Sequence, residues 1–295
     1  MAWTSGTANN YLHLLELLRN YLSANGYTIL HFSTTQFYCK GPGLEGLDEI
    51  YWGIDTFENS GTGHWNWELA GSVSYKEGRG GISHPGGNRG HYMFLWNQAI
   101  PYWFAVNGRR AIILVKVGTV FQMAYMGLGL PIGTFEQYPY PLVIGGCSSS
   151  RTSNYSSTGA TNTLFFSTNT GDNGTAGATQ GRFLVPQGVW VGMSNTGSNF
   201  NMICRAGRNL TQNFRANIVP ALDGTYLVEE IVLPVRLRPT YNLAETAMLK
   251  LDGVFKTSGK NNSAENIISV GGSSYLVFPD TYRAAAGDYF ALKME

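Results

Sequence analysis

Residues 102–117 read YWFAVNGRRAIILVKV, two apolar runs on either side of Asn107-Gly108. The dipeptide suits a type I′ turn, whose central residues both carry positive φ. It predicts a β-hairpin pairing Tyr102–Val106 with Arg110–Val117. The second arm, AIILVKV, is too uniformly apolar for a strand with one wet face and is expected at the centre of a sheet. Thr119–Leu130, next along the chain, is apolar enough for strand or helix. Gly127, Gly129 and Pro131 favour a strand that ends there.

Upstream, Gly78–Gly90 (GRGGISHPGGNRG) reads as a surface loop. It has neither the GxxxxGK[ST] spacing nor the strand–GxGxxG–helix context of a phosphate-binding loop. Tyr27–Phe32 and Glu49–Phe57 read as strands, the latter with Ile50, Trp52 and Ile54 alternating against Tyr51, Gly53 and Asp55. One helix is expected from about Asn10 to Ala24. Tyr11, Leu14, Leu15, Leu18 and Leu22 fall on one face, Asn9 or Asn10 can cap the start, and Gly26 sits where a C′ glycine belongs. Leu12 and Leu17 widen the stripe, so the helix is expected to pack on a sheet.

Downstream, Cys147–Gly181 is almost wholly Ser, Thr, Asn and Gly around one strand-like piece, Thr163–Ser167. It predicts a long decorated loop or the edge of an insertion, outside the main core. Short β segments follow at Phe183–Val185, Val189–Met193, Phe200–Ala206 and Tyr226–Leu237. Pro234 and Pro239 confine the last to an edge position or an irregular extension. The chain closes with LDGVFKTSGKNNSAENIISVGGSSYLVFPDTYRAAAGDYFALKME (251–295). This reads as a strand (Leu251–Thr257), a polar loop, a hairpin of Asn266–Val270 with Tyr275–Phe278 across Gly-Gly-Ser-Ser, and an aromatic strand (Tyr289–Met294).

The fold class is therefore α+β, predominantly β: an N-terminal helix packed on a mixed or antiparallel sheet, followed by a mainly β region. Three segments are expected. Residues 1–146 form an N-terminal α+β domain and 147–242 a Ser/Thr/Asn/Gly-rich loop and β insertion. Residues 243–295 form a C-terminal β segment that belongs to the second region or completes the first domain.

Only 13% of the residues are charged and the balance is 20 Lys+Arg against 19 Asp+Glu. That excludes a global field for nucleic acid, so no nucleic-acid specificity is expected. Neutral polar loops account for so few charges, and so does a surface covered by other subunits. The three cysteines, Cys39, Cys147 and Cys204, lack metal-ligand spacing and read as buried free thiols. No membrane span and no signal peptide are expected, which places synthesis and folding in a cytoplasm.

Catalytic signals are sparse. His13, His31, His64, His84 and His91 stand alone, without HExxH or HxH, and no GxSxG elbow occurs. The carboxylate pairs Asp48/Glu49 and Glu229/Glu230 are chain neighbours, which a strand points to opposite faces. No catalytic residue, cofactor or metal is expected. The candidates for a ligand or interface contact are aromatic. Trp65 and Trp67 lie two apart on a strand and share a face, which suits sugar stacking, a partner anchor, or core packing. Tyr138 and Tyr140 are held extended by Pro139 and Pro141, a strap suited to docking on a sheet or subunit.

Four blocks carry a resemblance: GTANNYLHLLELLRNYL (6–22), GPGLEGLDEIYWGI (41–54), the run from Val106 to Gly146 ending in YPYPLVIGG, and the last 45 residues. Together they resemble a largely uncharacterised family of virion structural proteins of tailed bacteriophages. The resemblance implies a virion component in the tail, neck/collar or baseplate, built of symmetric copies beside neighbouring phage structural proteins, and assembled in the host cytoplasm. It implies no enzyme. A carbohydrate- or receptor-binding module, a head decoration protein and a glycan hydrolase are the rival readings.

Overall fold

The computed structural model describes residues 2–43, 49–79, 83–131, 142–148, 150–152, 164, 181–184, 190–192, 203–204, 228–235, 246–281 and 289–294. The chain begins β1 (Ala2–Ala8), α1 (Tyr11–Ala24), β2 (Thr28–Phe32), β3 (Gln36–Gly41), β4 (Ile50–Asn59), β5 (His64–Ser72) and β6 (Asn88–Met93). It continues with β7 (Ile100–Asn107), β8 (Arg110–Val117), β9 (Val120–Leu128), β10 (Leu130–Pro131), β11 (Leu142–Gly145), β12 (Gly181–Leu184) and β13 (Trp190–Gly192). The last strands are β14 (Ile203–Cys204), β15 (Glu229–Val235), β16 (Thr246–Thr257), β17 (Ile267–Val270), β18 (Ser273–Pro279) and β19 (Tyr289–Lys293).

These strands form three sheets, antiparallel at every described pairing. A middle sheet runs β1-β7-β8-β9-β11-β12-β13, a helix-side sheet runs β2-β3-β4-β5-β6, and a C-terminal sheet runs β14-β15-β16-β19-β18-β17 with β10 on β16. The reason for the layering is visible in AIILVKV. Ile113 and Val115 face a core shared with Leu14 and Leu18 of α1 and Trp52 and Ile54 of the helix-side sheet. Ile112 and Leu114 face the opposite way, into a core with Leu249, Leu251, Phe278 and Phe290 of the C-terminal sheet. Both faces of the middle sheet are dry at β8, so this strand does not alternate in polarity. Each such side chain contributes roughly 1.5–3 kcal/mol by leaving water.

The chain is α+β and predominantly β, with the helix where its periodicity predicts. Asn10 is the N-cap, its Oδ1 accepting from Leu12 N at 3.0 Å and His13 N at 2.9 Å. Tyr11, Leu14, Leu15, Leu18 and Leu22 form the buried face. The three sequence segments share sheets: β12 and β13 extend the middle sheet, and β16 pairs with both β10 and β15.

Three local expectations are corrected. The hairpin β7–β8 exists with Asn107 opposite Arg110, but its turn is not type I′. Gly108 and Arg109 are the central residues and neither has positive φ. Asn107 is instead the first residue of the turn, and its Oδ1 accepts from Arg109 N at 2.9 Å and Arg110 N at 3.0 Å. Gly108 is needed for space: a Cβ there would stand 2.1 Å from the Gly43 carbonyl oxygen. In the C-terminal hairpin the turn is Gly271-Gly272 alone, φ 58° and 83°, and Ser273 already pairs with Val270. Leu164, inside the polar tract, is fully buried in the core beneath the C-terminal sheet, its N–H bonded to Asp280 Oδ1 at 2.8 Å. β15 lies between β14 and β16, but Pro234 falls outside the described β14 pairing of Ile231 and Val232 and at a register slip between Leu233 and Pro234, the irregular alternative of the two expected there.

Candidate functional site

In the helix-side sheet Phe37, Cys39, Trp52, Ile54, Trp67 and Leu69 point into the core. Strand alternation therefore turns Tyr38, Gly53, Asp55 and Glu68 to the outer face. There Asp55 of β4 stands directly opposite Glu68 of β5, and Glu68 opposite Tyr92 of β6. Tyr38 donates its hydroxyl to Asp55 Oδ1 at 2.5 Å, and Tyr92 donates to Glu68 Oε1 at 3.1 Å. Hydrogen bonds to ionised oxygens are stronger than neutral ones, so each phenol offsets the repulsion of two adjacent acids. Gly53 makes room for this arrangement: a Cβ there would meet the Tyr38 ring at 2.1 Å.

Tyr75 and His84 cover part of the same face. His84 packs edge-on against the Tyr38 ring and beside the Tyr75 ring, each at 4.8 Å. Burial holds its imidazole below the ordinary value, with Asp55 pulling the other way. Farther along the sheet, Arg151 stacks over Phe57 at 5.1 Å, and its carbonyl accepts from Asn66 Nδ2 at 2.9 Å.

Opposed carboxylates are the chemical pairing of glycoside hydrolysis. Here Glu68 is buried, and both acids are tied to tyrosines as parts of the sheet's packing. A hydroxyl–imidazole pair also exists, Thr62 Oγ1 and His64 Nδ1 at 2.9 Å. The Thr62 hydroxyl also has the Asn59 carbonyl as an acceptor at 3.2 Å, which competes with the imidazole for its single proton. Such competition works against nucleophile activation.

The aromatic candidates fare differently. Trp65 and Trp67 do share a face, but it is the inner one. Trp67 has no exposed surface and packs in the core, and Trp65 packs half-buried against it. They do not form an exposed aromatic platform. Tyr138 and Tyr140 lie outside the described residues. Among the described residues no group of His, Cys, Asp or Glu is arranged to hold a metal ion, and no helix is long and apolar enough to cross a membrane.

A second surface stands at the sheet edges. β1 (AWTSGTA) is the first strand of the middle sheet and pairs with β7 over seven residues without a slip. It carries no charge, proline or bulge, the devices that normally block edge pairing. Trp3 is 43% exposed there, and Ile267 on β17, the last strand of the C-terminal sheet, is 62% exposed. Sequence reasoning missed both features: Asp55 and Glu68 converge only through the β4–β5 register, and β1 is too short and polar to stand out.

No protein-family model and no curated protein matches the chain.

Proposed function

We propose that the chain is a structural subunit of a tailed-bacteriophage particle, in the tail, neck/collar or baseplate. It works by assembling with copies of itself and with neighbouring structural proteins, and no catalytic role is assigned to it. The observation that carries this reading is the edge of β1, a seven-residue, charge-free strand that pairs on one side only among the described residues, with Trp3 exposed on it. Such an edge invites pairing, and a chain that exposes one benefits from a partner that covers it. The resemblance of four sequence blocks to phage virion proteins supplies the setting.

Two measurements test it. Light scattering across a concentration series should show a closed oligomer. The double variant Trp3→Lys/Ser5→Lys should remain monomeric with an unchanged melting temperature. A wild-type monomer at every concentration, or a lysine variant that assembles normally, overturns the edge-driven reading. A mass-spectrometric inventory of purified particles should contain the chain in many copies. Its absence removes the virion assignment, and confinement to a few receptor-binding tips or to the head surface replaces it.

A further inference from the structure

From Val73 to Asn88 every described residue of the glycine-rich loop is exposed or half-buried except His84, which is 3% exposed. His84 is the peg by which the loop enters the outer face of the helix-side sheet, between Tyr38 and Tyr75. Lys76 N donates to His84 Nδ1 at 3.1 Å. That bond fixes the tautomer: Nδ1 is the acceptor, so the neutral ring carries its proton on Nε2. His84 Nε2 is itself buried with no hydrogen-bond partner among the described residues. The rest of the loop is organised around this peg. Val73 N donates to Pro85 O at 3.1 Å and Gly87 N to His84 O at 2.9 Å. Trp190 of β13 donates its indole N–H to Gly86 O at 2.7 Å, tying the loop to the middle sheet as well.

We propose that His84 is an acid-released latch: proton uptake at Nδ1 expels the ring from its slot, undocks the described loop residues 73–79 and 83–87 from both sheets, and uncovers the Tyr38–Asp55 face. The proton comes from solvent and takes the lone pair that now accepts Lys76 N–H. The resulting imidazolium has two donors and no acceptor, so Lys76 N–H loses its partner and a cation is left in a nearly dry slot. The groups that face His84 are Tyr38 and His31 from β3 and β2, Asp55 from β4, and Tyr75, Lys76 and Arg79 from the loop. Asp55 favours the cation while Arg79 and His31 oppose it, and burial outweighs them all in favouring the neutral ring. A depressed value in the docked state means docking is fully stabilised above the free imidazole's value of 6.5 and is lost as pH falls through the lower docked value.

Hydrogen–deuterium exchange of the intact protein, read by mass spectrometry and corrected for the intrinsic pH dependence of exchange, tests this. Peptides covering residues 73–87 should lose protection progressively as pH falls from 7.5 to 5, while β8 peptides keep theirs. His84→Gln retains an acceptor without titrating, so its loop should show pH-independent protection. Unchanged loop protection in the wild type, or the same acid release in His84→Gln, overturns the latch. If that variant does not fold, the wild-type His84 imidazole is titrated by NMR alongside loop exchange. Coincident midpoints sustain the latch and separate ones overturn it.

Discussion

The guanidinium of Arg110, without exposed surface, lies with Nε 3.1 Å from the Asp252 carboxylate, joining the middle sheet to the C-terminal sheet. Asp252 reaches it because β16 bulges. Lys250 pairs with Val232 and Phe255 with Glu230, five steps along β16 against two along β15. Asn107 Nδ2 donates to the same carboxylate at 2.7 Å, and Arg110 Nη1 donates to Ala105 O at 2.9 Å. Removing one partner strands a charge between two cores. Asp252→Ala should cost about 3 kcal/mol in urea unfolding, toward the low end for a buried pair because Asp252 keeps some solvent contact. Arg110→Met with Asp252→Leu should recover most of that loss, and a double variant no better than the single would show that the ion pair is not the stabilising element.

At the tip of the same hairpin, Gly43 N donates to Gly108 O at 2.9 Å and the two backbones touch. Gly108→Ala should therefore destabilise by about 1–3 kcal/mol through overpacking. Gly271→Asn is the control: its φ is 58° but a Cβ there meets nothing within 4 Å, so the change should stay within about 1 kcal/mol. Equal melting temperatures for the two variants would make turn conformation, rather than the contact with Gly43, the deciding factor at Gly108.

The helix start offers a smaller and cleaner number. Asn10 satisfies two of the first-turn N–H groups. Asn10→Ala should cost about 1 kcal/mol in chemical denaturation, and Asn10→Asp should cost less than that.

Thiol chemistry should follow burial. The Cys147 thiol is pushed up to about 12 and Cys39 well above its usual value, in both cases chiefly by burial. On a Cys204→Ser background, an aromatic disulfide reagent at pH 8 should find neither thiol in the native protein and both in guanidinium chloride. Rapid native labelling of Cys147 would mean that the core between the middle and C-terminal sheets opens readily.

The parts of the fold legible in the sequence are those written locally. The α1 stripe carries its own period and cap, and AIILVKV declares a strand with two dry faces. Asn107-Gly108 declared a turn but not its type, because an Asn side chain that caps a type I-like turn and one that adopts positive φ look alike in sequence. Trp65 and Trp67 declared a shared face but not which face, since that is set by the neighbours across the sheet. The Asp252–Arg110 pair and the Asp55–Glu68 juxtaposition depend on a bulge and a hairpin register, and no local pattern announces either. Leu164 was obscured by the polar residues around it.

The pairing of β1 with β7 also sets an order in time. On the ribosome, residues 2–8 emerge long before residues 100–107, the strand they must meet. At translation speeds of about 5–20 residues per second, the gap is roughly 5–20 s. Throughout that interval β1 has no partner strand, so the N-terminal strand waits unpaired until the central hairpin has been made.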